Sequence, residues 1–177
     1  QTDLHKKYPQ FDFIILMASR LTREKNIDLA IVAMAEIIKN YPKTGLIIVG
    51  KGPRETAYRS LIKSLNLSQN VIIEPWTDDL ASYYKTADLF LLTSNYEGYG
   101  LSIAEALTCG CPVISTDVGV VKEVIKEDQN GLVVPVDSKN NLVSAILRFI
   151  KKGKIRVISD FKGMTREEYL QAYKQSF

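Results

Sequence analysis

The chain has 177 residues, enough for one sizeable domain or at most two small ones, and 46% of them are hydrophobic while 24% are charged. These proportions are typical of a folded globular protein and exclude a disordered chain. The formal net charge is only +3, from 23 Lys and Arg against 20 Asp and Glu. This balance argues against a nucleic-acid partner, because proteins that bind nucleic acid usually present a dominant basic face.

Histidine and cysteine are scarce in this sequence. The one histidine, His5, lies in a polar N-terminal stretch, so a Ser-His or Cys-His catalytic pair is not expected. The two cysteines form Cys109-Gly-Cys111, a spacing that suits neither a disulfide nor, without a second pair, a zinc site. With so little thiol chemistry, no apolar stretch of ~20 residues and no signal peptide, we expect a cytoplasmic location.

Short apolar runs rich in β-branched residues alternate with amphipathic stretches along most of the chain. The runs are continuous rather than alternating, which is typical of strands in a parallel sheet that is covered on both faces. The predicted strands are 13–19, 45–50, 70–75, 88–94, 112–116 and 130–136. The predicted helices are 26–40, a helix opened by Pro53, 80–87, 101–110, the short stretch VVKEVI and a helix capped by Ser138.

Six strands that alternate with helices predict an α/β fold with a Rossmann-like, doubly wound parallel sheet and right-handed crossovers. In such sheets, ligands bind outside the carboxyl ends of the strands. We therefore expect the loops at this edge to surround one crevice. These loops are 19–26, 50–53, 75–79, 94–101 and 116–119.

Two carboxylates flank a glycine-containing turn in the segment NYEGYGLSIAEAL, residues 95–107. The turn requires the conformational freedom of glycine at Gly98, Gly100 or both, and a helix is predicted to begin near Gly100. The unpaired amides and the dipole of that helix end favour an anion, and phosphate is the usual occupant.

The two carboxylates of this segment have different predicted roles. The apolar neighbours of Glu105 predict a buried acid, which is costly unless it accepts hydrogen bonds, for example from ribose hydroxyls. An exposed helical glutamate is the alternative. Glu97 is expected closer to the reacting end of a bound phosphate ester, and its alternative role is to cap nearby amides.

Two further loops carry candidate ligand contacts. In ASRLTREKN, Arg20, Arg23 and Lys25 follow the first strand, and any two of them would form a diphosphate clamp beside the helix end, with Arg20 the best placed, although each alone is typical of a solvated surface. In VGKGPRE, Gly50 allows a ligand close access to the backbone, but Glu55 replaces the third glycine of a dinucleotide fingerprint. Because the sequence contains no Asp-x-Asp pair, a metal-chelated diphosphate is not indicated.

The segments that carry these residues follow a known pattern. In order along the chain they are ASRLTREKN, LIIVGKGP, ADLFLLTSNYEGYGLSIAEALTCGCPVISTDVG and EVIKEDQNGLVVP. Over residues 13–150 the chain resembles the C-terminal, donor-binding domain of a retaining glycosyltransferase of the GT-B fold, in family four of the sequence classification. The family often has glycine where this chain has Asn26, and because Asn tolerates a left-handed conformation we expect that turn to survive.

The resemblance implies a role for each of the matching residues. Arg20 and Lys25 would hold the donor diphosphate together with the backbone amides of Gly100 and Leu101. Glu105 would bind the ribose hydroxyls of the donor.

Two further positions complete the implied site. Glu97 would be the catalytic residue and contact the transferred sugar, while the segment around Pro75 and Trp76 would cover the base, with ordinary packing of Trp76 as the alternative. The implied donor-binding residues are Arg20, Lys25, Gly50, Trp76, Glu97, Gly98, Tyr99, Gly100, Leu101 and Glu105.

The implied function is retaining transfer of a sugar from a nucleotide-diphosphate-sugar, with UDP or GDP as the nucleotide, to a glycan or lipid-linked acceptor. No metal or other cofactor is expected. Residues 1–152 would form the donor domain, while 153–177 would be a linker and a helix over 165–177 that packs on a missing N-terminal, acceptor-binding domain. We expect little or no transfer by this chain alone, and membrane association only through the missing domain.

Other functions stay open on the sequence. A module that binds a nucleotide sugar without transferring it would use the same residues. An epimerase of related fold would act on the same class of donor. A purely structural role would leave Arg20 and Glu105 without a purpose.

Overall fold

The computed structural model describes residues 1–98, 100–119 and 121–157. Six strands form one sheet: β1 Phe13–Ala18, β2 Thr44–Val49, β3 Val71–Glu74, β4 Leu89–Leu92, β5 Val113–Thr116 and β6 Gly131–Val134. In the same residues, seven α-helices and a 3-10 helix over Arg23–Lys25 accompany them. The α-helices are α1 Leu4–Lys7, α2 Ile27–Ile37, α3 Glu55–Ser64, α4 Leu80–Thr86, α5 Leu101–Thr108, α6 Val121–Val124 and α7 Lys139–Lys152.

The sheet is open and every strand pair in it is parallel, which confirms the predicted class. Its order is β3-β2-β1-β4-β5-β6. The chain therefore builds outward from β1 to β3 and then returns to place β4 on the other side of β1. This reversal is the topological switch point, where the loops that follow β1 and β4 open a crevice.

Apolar residues fill both faces of the sheet, as the continuous strand patterns predict. Side chains of a strand alternate between faces, so Ile15 packs in the core with α2, α3 and α7, whereas Ile14 packs in the core with α4 and α5. Both residues are fully buried, at 0% exposed. The two cores fix the sheet between its helical layers and make its carboxyl edge a rigid platform.

The first helix, α1, is absent from the predictions. Its four residues are too few for a periodic apolar pattern, and Leu4 is the buried residue among them. Asp3 caps the helix, because its Oδ1 accepts hydrogen bonds from the amides of His5 at 3.0 Å and Lys6 at 3.3 Å. The helix packs against α4 and so reaches the region next to the crevice.

The segment that follows α7 folds back onto the domain as far as it is described. The amide of Val157 donates to the carbonyl of Gly110 at 3.2 Å, and Arg156 Nη1 donates to the carbonyl of Ala87 at 3.1 Å. The helix predicted over 165–177 lies outside the described residues, and the domain boundary at residue 152 stays a prediction.

Candidate functional site

Hydrogen bonds join the loops after β1 and β4 at the switch point. The hydroxyl of Thr93 donates to the carbonyls of Lys25 and Asn26, both at 3.0 Å, and the amide of Asn95 donates to the carbonyl of Glu24 at 2.8 Å. Asn26 adopts φ 46° and ψ 43°, the left-handed conformation expected of it. The crevice is therefore bordered by two loops that support each other.

An ion pair crosses this crevice between residues predicted to belong to one site. Lys25 Nζ lies 2.6 Å from Glu97 Oε1, and the two side chains are only 16% and 12% exposed. Ser94 Oγ donates to the same carboxylate oxygen at 2.7 Å. The hydroxyl of Thr116, at the end of β5, donates to the Ser94 carbonyl at 2.6 Å. Glu97 is thus held by contacts from both sides of the switch point.

Helix α5 begins directly after this pair. Gly100 precedes it with φ 77° and ψ 45°, so the freedom of glycine is required at Gly100. Gly98 has no positive φ, and a Cβ there would meet no atom within 4 Å. Tyr99, between these glycines, lies outside the described residues. The amides of Leu101 and Ser102 have no carbonyl partner within the helix and can face an anion, whereas the amide of Ile103 donates to the Gly100 carbonyl at 2.9 Å.

A cavity of about 540 Å³ continues the crevice between the β3–α4 loop, α4 and α5. It is lined by Trp76, Thr77, Asp78, Leu80, Ala81, Tyr84, Leu101, Ala104, Glu105, Thr108 and Cys109. Its walls bring together the predicted base cover Trp76 and the predicted ribose contact Glu105. Trp76 is 50% exposed, which is more than ordinary packing of a tryptophan leaves open.

The environment of Glu105 differs from the prediction of a buried acid. Glu105 is exposed, because Ile103, Ala106 and Leu107 form the buried face of α5 and Glu105 lies off that face. One buried group nevertheless reaches it, since the hydroxyl of Tyr84 donates to Glu105 Oε2 at 3.1 Å.

The loops after β1 and β2 form a second, smaller cavity beside the first. Ser19, Arg20, Lys51 and Trp76 line its volume of about 350 Å³. Gly50 permits this arrangement, because a Cβ at that position would lie 1.9 Å from the Ser19 carbonyl oxygen. Lys51 was missed in the sequence, although it stands in a loop predicted to border the crevice. Trp76 contacts both cavities and connects Arg20 to the wall that carries Glu105.

A buried carboxylate at the end of β3 was also missed. Glu74 is 8% exposed and accepts hydrogen bonds from Lys7 Nζ at 2.7 Å, from the Tyr83 hydroxyl at 2.6 Å and from the Tyr8 hydroxyl. Burial favours a raised pKa for Glu74, but the hydrogen bonds from Lys7, Tyr8 and Tyr83 together hold the pKa below its usual value. This cluster fixes the strand end two residues before Trp76.

The predicted site residues thus fall at one edge of the sheet in three groups. Lys25 and Glu97 are in contact, Trp76 and Glu105 line one cavity, and Arg20 lines its neighbour. Within residues 1–98, 100–119 and 121–157, no three His, Cys, Asp or Glu side chains lie together in a way that would hold a metal ion. In the same part of the chain, no helix has the length and apolar character needed to span a bilayer.

Known proteins share both the sequence pattern and the fold. The N-acetylgalactosamine-N,N'-diacetylbacillosaminyl-diphospho-undecaprenol 4-α-N-acetylgalactosaminyltransferase of Campylobacter jejuni is 29% identical over 164 residues, which are 92% of this chain and 44% of that protein. Poly(glycerol-phosphate) α-glucosyltransferase of Bacillus subtilis is 31% identical over 144 residues, which are 81% of this chain and 21% of that protein.

A solved structure of a glycosyltransferase is similar to this chain in fold. The pneumococcal O-GlcNAc transferase GtfA, in complex with UDP and GlcNAc, superposes with a TM-score of 0.74 at 26% identity. The match covers 98% of this chain and 34% of that chain. The predicted fold, the C-terminal half of a GT-B glycosyltransferase, is confirmed.

The extent of these matches defines what the chain is. It spans less than half the length of both curated relatives. The family model for glycosyl transferases group 1 matches residues 2–160. Because that match takes in nearly the whole chain, the protein belongs to the glycosyl transferases group 1 family.

Proposed function

We propose that this chain binds the nucleoside diphosphate of a sugar donor across the β1–β4 crevice and the adjoining cavity. The observation that carries the proposal is the placement of complementary groups at one sheet edge. The ammonium of Lys25 contacts Glu97, and α5 begins shortly after Glu97 in the chain, while the cavity lined by α5 presents an aromatic ring and the carboxylate of Glu105. These groups match the anionic, aromatic and hydroxyl-bearing parts of a nucleotide sugar.

The cations provide the diphosphate site. Arg20 and Lys51 line the smaller cavity and Lys25 lies at the switch point, so three positive side chains surround the mouth of the crevice. Backbone amides at Gly100 and Leu101 would add hydrogen bonds to the phosphate oxygens. Each hydrogen bond to a charged group is worth about 1.5–3 kcal/mol, so two or three such contacts account for micromolar affinity.

The nucleoside would occupy the larger cavity. Trp76, half exposed at its rim, offers a flat apolar surface for the base. Glu105 would accept hydrogen bonds from the ribose hydroxyls, which a carboxylate with one unoccupied oxygen can do. Glu97 would contact the transferred sugar, because it lies in the turn that joins the diphosphate site to α5. Gly98 and Tyr99 belong to the same turn, and Gly50 keeps the backbone beside Arg20 open.

The same charges would promote transfer. As the bond between the anomeric carbon and the diphosphate breaks, negative charge grows on the leaving phosphate oxygens. Fixed positive groups stabilise that charge more in the transition state than in the bound donor. With this stabilisation supplied by side chains and the helix end, the proposed reaction needs no metal. Retention at the anomeric carbon is proposed from membership of the family and does not follow from these charges.

The acceptor is proposed to bind elsewhere in a longer protein. This chain covers 44% of the first relative and 21% of the second, so we propose that a preceding domain holds a glycan or lipid-linked acceptor on the cytoplasmic side. Assembly of polysaccharides or glycolipids is the corresponding process. Any contact with a membrane would be made by that domain, and the chain alone would transfer little or no sugar.

Isothermal titration calorimetry with UDP, GDP and ADP tests the proposal. We expect at least one of them to bind with a dissociation constant in the micromolar range, and the matching nucleoside, such as uridine, to bind at least about tenfold more weakly. If none of the three diphosphates binds at millimolar concentration, the chain is not a donor-binding domain.

A further inference from the structure

A buried tyrosine supports the carboxylate at the wall of the larger cavity. Tyr84 is 1% exposed, and its ring packs edge-on against Phe90 with centroids 5.2 Å apart at 77°. Its hydroxyl emerges from this core at the cavity and donates to Glu105 Oε2 at 3.1 Å. The buried side chain of Tyr84 thus holds the carboxylate of the exposed side chain of Glu105.

Glu105 depends on this contact for a defined orientation. It is exposed, and three rotatable bonds separate its carboxylate from the helix. Among the residues that the structure describes, Tyr84 is the one side chain that donates a hydrogen bond to it. Because the contact is made to Oε2, the other oxygen, Oε1, remains available to hydroxyl groups of a ligand.

The hydroxyl of Tyr84 stays a donor over the whole neutral range. Burial raises the pKa of Tyr84, and the nearby charge of Glu105 raises it further. The phenol therefore keeps its proton, and the carboxylate keeps its partner.

We propose that Tyr84 is a positioning residue that preorients Glu105 and thereby gives the site its preference for ribose over 2′-deoxyribose. This inference rests on the proposed function, since it assigns Glu105 to the pentose of the donor. A freely rotating carboxylate would lose conformational entropy on binding the sugar hydroxyls, whereas one already held loses less. We assign Oε1 to the 2′-hydroxyl, so the benefit appears only with ligands that carry that hydroxyl, and it acts on discrimination between sugars rather than on diphosphate binding.

The neighbouring residue provides a matched control. Tyr83 is also on α4, is also buried and also donates its hydroxyl to a carboxylate, but that carboxylate is Glu74, away from the cavity. Tyr83→Phe and Tyr84→Phe each remove one buried hydroxyl that donates to a carboxylate. A general loss of packing or stability would affect both variants, whereas loss of sugar discrimination is expected from Tyr84→Phe alone.

Calorimetry compares the affinities of the wild type and of both variants for UDP, GDP and ADP with their affinities for the 2′-deoxy counterparts dUDP, dGDP and dADP. We expect the wild-type protein to bind its preferred ribonucleotide at least about tenfold more tightly than the deoxy form, as one lost hydrogen bond to a charged group predicts. In Tyr84→Phe this ratio should fall to about threefold or less while affinity for the deoxy form stays the same. Tyr83→Phe should keep the wild-type ratio.

Each other outcome overturns the inference in a recognisable way. Tyr84→Phe could keep the wild-type ratio of ribonucleotide to deoxynucleotide affinity, or could lose affinity equally for both. Either result would leave the proposed diphosphate binding in place and would refute the positioning role of Tyr84. Equal affinity of the wild-type protein for ribonucleotides and deoxynucleotides would also refute the positioning role. Absence of all binding rejects the proposed function together with this inference.

Fluorine NMR keeps the test valid if Tyr84→Phe does not fold. The nine tyrosines are replaced by 3-fluorotyrosine, and the Tyr84 signal is identified by its shift in Glu105→Gln, which changes only an exposed side chain. That signal should move further on saturation with the ribonucleotide than on saturation with the deoxy form. Equal shifts with both ligands would contradict the inference.

Discussion

The ammonium of Lys25 lies 2.6 Å from Glu97 Oε1, although 72 positions of sequence separate the two residues. The pair joins the loops after β1 and β4 at the point where the sheet reverses its order. A diphosphate bound there would need the same ammonium, and Glu97 would repel its negative charge. Glu97 therefore weakens binding of the free nucleotide. Its proposed contact with the transferred sugar can form only when a sugar is attached to the diphosphate.

Replacing Glu97 by Gln tests whether the charge of Glu97 weakens binding of a nucleoside diphosphate. Gln removes the negative charge and releases Lys25, so UDP should bind roughly threefold to tenfold more tightly, which corresponds to about 1 kcal/mol from one partly exposed ion pair. Sugar transfer by the intact longer protein should fall at the same time. Titration calorimetry measures the first effect and product analysis the second.

Glu127→Gln is the control for net charge. Glu127 is exposed just before β6, at the opposite edge of the sheet, and its replacement should leave UDP affinity unchanged. Weaker binding of UDP to Glu97→Gln would show that Glu97 supports the nucleotide rather than competing with it.

The cations that line the smaller cavity should contribute to the affinity for the diphosphate and not to the affinity for the nucleoside. Arg20→Ala and Lys51→Ala each remove one positive side chain from its lining. UDP should bind about tenfold more weakly to each variant, the size expected for one charge-assisted hydrogen bond, while uridine should change less than about twofold. Lys43→Ala removes a cation that lies before β2, at the far edge, and serves as the control. Equal losses for UDP and uridine would contradict a diphosphate clamp.

The strands and the crevice could be predicted because their signals are local. Continuous β-branched runs mark a covered parallel sheet, and parallel strands bring the loops after them to one edge whatever their separation in sequence. Asn26 could be placed in a left-handed turn because the family that the chain resembles often has glycine there and Asn tolerates that conformation. Gly100 could be predicted near the start of α5 because the turn before the helix needs the conformational freedom of glycine.

The missed features depend on contacts that sequence patterns do not encode. The helix α1 is too short to show periodicity, and Lys7 reaches Glu74 across 67 positions. Glu105 was predicted to be buried from its apolar neighbours, whereas only the direction of the helix face decides its exposure. Tyr84 was not singled out in the sequence, since nothing local shows which hydroxyl meets a carboxylate.

Gly50 should be essential to the fold beside the site, and Gly98 should not. A Cβ at Gly50 would lie 1.9 Å from a backbone carbonyl oxygen, so Gly50→Ala must push the loops after β1 and β2 apart. We expect a loss of about 3 kcal/mol in the free energy of unfolding, the upper end for overpacking. Gly98→Ala adds the same methyl group in open space and should stay within about 0.5 kcal/mol. Urea unfolding measures both, and equal effects would refute the role given to Gly50.

The cluster around Glu74 should make stability depend on pH in a defined direction. Its hydrogen bonds hold the pKa of Glu74 below the usual value of 4.5, so the stabilisation is present above that value and is lost as pH falls through the folded-state pKa. Glu74→Gln should therefore cost about 2 kcal/mol at pH 7, and much less once the pH lies below the folded-state pKa, where wild type also carries a neutral acid. A series of urea unfolding curves from pH 7 downward measures this, with Glu55→Gln, which removes an exposed pair with Arg59, as a control of small effect. A difference between wild type and Glu74→Gln that stays constant with pH would show that the cluster is held by packing rather than by charge.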